Sequence, residues 1–214
     1  MENVTDRVSN PFDMHPPREY PPVDDGPDGV PGYGDANADF HVVGASPTQH
    51  GGETTGVPFT ETEGARRLQG VLYDVGFLAE PYSDAPEPTN LFASYLFMPR
   101  LPEGREPTDA DYEFMERFFD AEFRAINAHI ILPVGATAID RVLREYTTLR
   151  RRFPDTIDDR AIHATEVRGR GFLVVPVADP ETWDDEEAEA LRERLRAILD
   201  SDYRQTKGVA TLVG

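Results

Sequence analysis

The stretch with the most capacity for chemistry runs Gly44-Ala45-Ser46-Pro47-Thr48-Gln49-His50-Gly51-Gly52-Glu53-Thr54-Thr55-Gly56-Val57-Pro58-Phe59-Thr60. It follows the apolar run Phe40-His41-Val42-Val43 and precedes a helical pattern. Glycines in such a loop let backbone amides approach a ligand, because no Cβ stands in the way. The spacing matches neither the phosphate-binding consensus with its lysine nor the dinucleotide fingerprint. Spacing alone therefore leaves open an ordinary structural loop. No Ser/His/Asp set with a nucleophile elbow is present, which ranks an unrelated α/β hydrolase last. The chain has no cysteine, so disulfides, thiolate zinc sites and cysteine-held iron–sulfur clusters are excluded.

A second feature is charge. Among 214 residues, forty are acidic and twenty-one basic, for a net charge of -19. Window 141–170 reverses the balance, with Arg141, Arg144, Arg150, Arg151, Arg152, Arg160, Arg168 and Arg170 against five acids. Arg150, Arg151, Arg168 and Arg170 are candidate phosphate contacts, with a solvated face of ion pairs as the alternative. A single lysine, Lys207, and acids spread along the whole chain fit a halophilic protein, since salt near 1 M shortens the Debye length to about 3 Å. No basic-then-apolar leader and no long apolar run is visible, so a soluble, cytoplasmic protein without membrane partners is expected.

Strands and helices must position these residues. Residues 1–34 are rich in proline and glycine, and read as an extended arm ahead of one domain over 35–214. Strands are expected at Phe40–Val43, Leu91–Phe97, His129–Val134 and Phe172–Val177. Thr62, Thr108 and Asp184 each stand where a helix cap is needed. The helix after Thr62 turns Ala65, Leu68, Val71, Leu72 and Val75 inward; the one after Thr108 turns Phe114, Phe118, Ala121 and Phe123 inward. Gly135 opens another helix through Ala138, Ile139, Val142 and Leu143. Alternating strands and helices predict a three-layer α/β/α sandwich with a mainly parallel central sheet. Sites in such sheets lie at the carboxyl ends of the strands, here after Val43, Phe97, Val134 and Val177.

The loop ending in Gly56-Val57-Pro58-Phe59 resembles the first motif of the uracil-DNA glycosylase superfamily, nearest to families four and five, typical of archaea and thermophilic bacteria. His50-Gly51-Gly52 and Thr55-Gly56 with Phe59-Thr60 look like family five. Thr89-Asn90-Leu91 resembles a family-four strand, and Ile130 to Ala138 a later strand–glycine–helix element. The resemblance covers roughly residues 39–200. It implies a DNA-repair enzyme that flips a deaminated base, uracil, out of single- or double-stranded DNA and hydrolyses its N-glycosidic bond. On this resemblance Phe59 stacks on the base and Asn90 reads it, while amides of the loop from Ala45 and Ser46 to His50 hold the leaving anion. Trp183 falls where relatives carry a wedge into the duplex. No cofactor is called for by the residues present.

Departures from the pattern carry equal weight. Ala45 stands where family four has glutamate, and Thr62, beside Glu61, where family five has aspartate. Asp179-Pro180 replaces a histidine–proline pair, and an aspartate anion repels a departing uracil anion. Glu61, His50 or Asp179 is then left to position the water. The alternative is a divergent member that binds nucleic acid or a damaged base without cutting. Each residue also has a structural alternative: Phe59 and Trp183 in the core, Asn90 turning the start of its strand, His50 facing solvent.

Overall fold

In a computed structural model, residues 8–102, 105–169 and 171–203 are described. In chain order the elements are β1 (Val8–Ser9), β2 (Tyr33–Gly34), β3 (Phe40–Gly44), α1 (Pro47–His50), α2 (Glu63–Asp74), β4 (Leu91–Tyr95), α3 (Asp109–Ile126), β5 (Ile130–Pro133), α4 (Gly135–Glu145), β6 (Val167–Arg168), β7 (Leu173–Val174) and α5 (Asp185–Leu199). Short 3-10 turns lie at Arg150–Arg152 and Pro180–Thr182.

The sheet order is β1-β2-β4-β3-β5-β7-β6. The inner four strands, β4-β3-β5-β7, are parallel, and the outer strands on both sides are antiparallel. Every residue of β3 and β5 is buried, which explains their unbroken apolar pattern: both faces are covered. Leu68, Val71 and Leu72 of α2 join Leu191, Leu195 and Ile198 of α5 in the core on one face. Tyr112, Met115 and Phe119 of α3 join Ala138 and Val142 of α4 on the other. The result is the expected three-layer α/β/α sandwich.

Caps stop and start the helices where the sequence placed them. Thr62 Oγ1 accepts the Ala65 amide at 3.0 Å, and Thr108 and Asp184 each form a reciprocal capping box. One expectation is corrected. The inward stripe of α3 is Tyr112, Met115, Phe119, Glu122 and Ile126, with Phe114, Phe118 and Phe123 at its margins and Ala121 exposed. The polar pattern misleads because Glu122 points inward, toward Ser94 and the Gly32 amide, beside a His41 that is fully buried and 2.7 Å from Ser94 Oγ.

The final parallel strand is also shorter than expected. β7 holds two residues, continued by a bridge between Val134 and Val177. The proline-rich segment contributes β1 and β2 to the sheet edge.

Candidate functional site

Parallel pairing puts Gly44, the last residue of β3, beside Tyr95, the last of β4. Three rings converge there. A Cβ on Gly44 would lie 2.7 Å from Tyr95 Cε1 and 2.8 Å from both His50 Cδ2 and Phe59 Cζ. Ring centroids are 5.5 Å apart for His50–Phe59, 5.2 Å for Phe59–Tyr95 and 6.2 Å for His50–Tyr95. The Phe59 amide donates to Tyr95 Oη at 2.7 Å, and the Tyr95 hydroxyl donates to the Gly51 carbonyl at 3.0 Å. Gln69 Nε2 donates to the Phe59 carbonyl at 2.8 Å. Phe59 and Glu61 both have positive φ, 57° and 75°. Left-handed conformations at non-glycine residues cost energy and cluster at functional loops.

His50 is 5% exposed, and its Nε2 finds no hydrogen-bond partner among the described residues. Burial pushes its pKa down to about 4, against the opposing pull of Glu181 and the Val134 carbonyl. The ring is therefore neutral at pH 7. Glu61 Oε1 accepts the amides of Thr54 at 2.9 Å and Thr55 at 2.5 Å, so its carboxylate folds the loop. Ser46 is fully buried at the start of α1, and Ala45 sits in the apolar core on the α3 side. Asp179 is half-buried. Its Oδ1 accepts the Glu181 amide at 3.0 Å, and its own amide donates to Asp159 Oδ2 at 3.0 Å. Burial and the charges of Asp159 and Glu181 raise its pKa, opposed by the hydrogen bond from Glu181. Glu181 reaches back to the Gly64 amide at 2.8 Å. The carboxyl end of the sheet thus gathers His50, Phe59, Glu61 and, through Glu181, the Asp179 turn. Its carboxylates are Glu61, Asp179 and Glu181, and Arg67 donates to the carbonyls of Pro180, Glu181 and Trp183 beside them.

Other expected site residues lie elsewhere. Asn90 precedes β4 and therefore sits at its amino end, a strand length of about 16 Å from Tyr95. Its Oδ1 accepts the Asp39 amide at 2.7 Å and its Nδ2 donates to Tyr203 Oη at 3.4 Å. This corrects the expectation that Asn90 shares a pocket with Phe59. Trp183 is 6% exposed, with Nε1 donating to the Ala178 carbonyl at 3.0 Å, so its ring packs in the core. Arg150 is committed to Asp140 and to the carbonyls of Phe153, Pro154 and Asp155. Arg151 is exposed. Arg168 is exposed and 3.6 Å from Glu166; Arg170 lies outside the described residues. Sequence reasoning missed Tyr95. The parallel register that pairs Gly44 with Tyr95 finds it, whereas the apolar pattern ran the strand on to Phe97.

The family model described as the uracil DNA glycosylase superfamily matches residues 31–198. The chain belongs to the uracil DNA glycosylase superfamily. Among its relatives within it are proteins named type-5 uracil-DNA glycosylase. That of Thermus thermophilus is 25% identical over 128 residues, 58% of this chain and 58% of the relative. That of Pyrobaculum aerophilum is 30% identical over 119 residues, 54% and 52% of the two chains. That of Mycobacterium leprae is 29% identical over 120 residues, again 54% and 52%. The chain spans about half the length of the curated relatives it matches. The type-five name agrees with the resemblance carried by His50-Gly51-Gly52 and Thr55-Gly56. With no cysteine in the sequence, this superfamily member lacks the thiolates for an iron–sulfur cluster.

Proposed function

We propose that this glycosylase-like protein engages DNA at the loop between β3 and α2, and recognises it without excising uracil. Tyr95 is the observation that supports this reading. Excision, on the family's pattern, needs an amide that reads the base, a polar group that positions water and a donor that steadies the departing anion. At the end of β4 a tyrosine ring instead fills the space beside Phe59 and His50. Ala45 has no polar group, the Thr62 hydroxyl caps α2, and Asp179 caps a turn. Rate enhancement comes from groups preorganised toward charge that develops in the transition state, and these side chains are engaged elsewhere. Phosphate contacts would come from exposed Arg151 and Arg168. The acidic rim opposes DNA at low ionic strength. Screening in concentrated salt, the setting that the composition suggests for this chain in the cytoplasm, relieves that repulsion.

A second reading, excision of uracil, is favoured by Glu61. Its carboxylate is held on a strained backbone at the loop end by two amides, a placement suited to directing water. The test is to incubate the purified protein in concentrated potassium chloride with labelled single- and double-stranded DNA carrying one uracil. Both retained DNA and released uracil are measured, with a heat-inactivated control. Retention without release is expected. Release that vanishes in Glu61→Gln would establish the second reading instead, and neither retention nor release would remove both.

A further inference from the structure

Resting on the reading that this loop engages nucleic acid, we infer that residues 24–30 form an autoinhibitory strap that competes with nucleic-acid phosphate for Arg100. The strap crosses the second half of the glycine-rich loop. A Cβ on Gly52 would lie 3.2 Å from Val30 Cγ1, and one on Gly56 3.5 Å from Pro27 Cγ. A Cβ on Gly26 would lie 3.1 Å from the Glu53 carbonyl oxygen and 2.7 Å from Arg100 Nη1. The strap's backbone therefore runs directly over both the loop and the Arg100 guanidinium.

Arg100 lies five residues beyond Tyr95, on the segment that leaves the carboxyl end of β4. It makes no ion pair among the described residues, and its Nε is buried without a partner. Its Nη1 donates to the Pro27 carbonyl at 3.1 Å, and its amide donates to the Asp28 carbonyl at 3.1 Å. A guanidinium stays charged and matches phosphate oxygens in a planar fork. Here a strap carbonyl occupies a donor that a phosphodiester oxygen would take. The strap also carries Asp24, Asp25 and Asp28, all exposed, which place negative charge where a polyanion would lie.

The strap is anchored at its end, where Gly29 and Val30 are buried and Val30 joins the apolar core, while Asp24, Asp25, Gly26 and Asp28 are exposed. Besides the two contacts to Arg100, the Val30 amide donates to the Met98 carbonyl at 2.9 Å and Gly29 bridges Pro99. Pro27 within the strap and Pro31 directly after it remove amide donors, so no continuous ladder forms. Residues 24–28, with few backbone bonds and largely exposed side chains, open locally about that anchor, without global unfolding.

The absence of native cysteine allows a reversible lock. Pro27 Cβ lies 3.6 Å from the position of a Cβ on Gly56, within the range for a disulfide. The full-length double variant Pro27→Cys/Gly56→Cys is compared oxidised and reduced, so that strain at Gly56 is common to both. Fluorescence anisotropy with a labelled single-stranded deoxyribo-oligonucleotide in concentrated potassium chloride reads affinity. At least tenfold weaker binding in the oxidised form, recovered on reduction, is expected; equal affinity overturns the competition. Native-state amide exchange of the wild-type protein supplies a readout free of DNA. The Arg100 amide, bonded to the Asp28 carbonyl, should exchange much faster than those of Val42 and Val43, and exchange only with global unfolding overturns the strap. Fast exchange with no oligonucleotide bound by either form would instead remove the nucleic-acid reading, and the competition with it.

Discussion

Tyr95 grips Phe59 in two ways: their ring centroids are 5.2 Å apart, and the Phe59 amide donates to Tyr95 Oη at 2.7 Å. Because the same hydroxyl donates to the Gly51 carbonyl, one tyrosine ties together both halves of the glycine-rich loop. The end of β4 thus braces the loop at both Gly51 and Phe59.

Replacing Tyr95 by phenylalanine keeps the ring and removes the oxygen. The Phe59 amide and Gly51 carbonyl are then left buried without that partner, a loss of about 1–3 kcal/mol. Denaturant unfolding of Tyr95→Phe in concentrated potassium chloride should show a lower midpoint with an unchanged slope. Stability equal to wild type would mean that the loop has other ways to satisfy those groups.

Gly44→Ala probes the same convergence from below. The added methyl meets three rings at 2.7–2.8 Å, and none of them is a flexible chain end. Overpacking of this kind costs about 1–3 kcal/mol. Aromatic circular dichroism should change along with the unfolding midpoint. A neutral substitution would show that the rings separate freely.

Much of this fold was legible in residue patterns because local rules and burial agreed. Thr62, Thr108 and Asp184 announce their helices, and the apolar runs of β3 and β5 follow from cover on both faces. Legibility failed where tertiary context overrode local pattern. α3 turns Glu122 inward because Ser94 and the Gly32 amide await it, which no periodicity reveals. The site was half legible. His50 and Phe59 were placed by one motif and Glu61 by the departure from it at Thr62, whereas Asn90 was assigned by its flanking residues when strand register, which puts Leu91 opposite Phe40, decides which end of the sheet it occupies.

Buried titratable groups predict a stability maximum in pH. Burial holds His50 and His41 at about 4 and about 3, below their ordinary 6.5. Their contribution is intact above pH 6.5 and is lost as pH falls toward those values, since the unfolded chain binds the protons first. Glu122 has the opposite sign. Burial raises it from 4.5 to about 7, opposed by hydrogen bonds from Ser94 and Gly32. Its contribution is full below pH 4.5 and is lost as pH rises through 7. Unfolding midpoints measured from pH 4 to 8 at fixed salt should therefore peak between these limits. In Glu122→Gln the decline on the alkaline side should flatten; an unchanged decline would assign it to other groups.

Trp183, the sole tryptophan, decides between wedge and core. Its indole N–H donates to the Ala178 carbonyl, and its ring packs edge-on against His163 at 5.5 Å. The His163 Nδ1 accepts the Ala178 amide at 2.9 Å, so one backbone position is held from both sides. A buried indole in this setting should emit at short wavelength and resist an aqueous quencher. Added DNA should leave that emission unchanged, because a core ring does not leave its place to enter a duplex. Trp183→Phe keeps most of the packing and leaves the Ala178 carbonyl without this donor, at a cost of about 1–3 kcal/mol, while DNA affinity at saturating stability should be unaltered. Emission that shifts to longer wavelength on DNA addition, together with lost affinity in Trp183→Phe, would restore the wedge. The turn at Pro180–Thr182 would then have to open during binding, breaking the Asp179 cap that holds it closed.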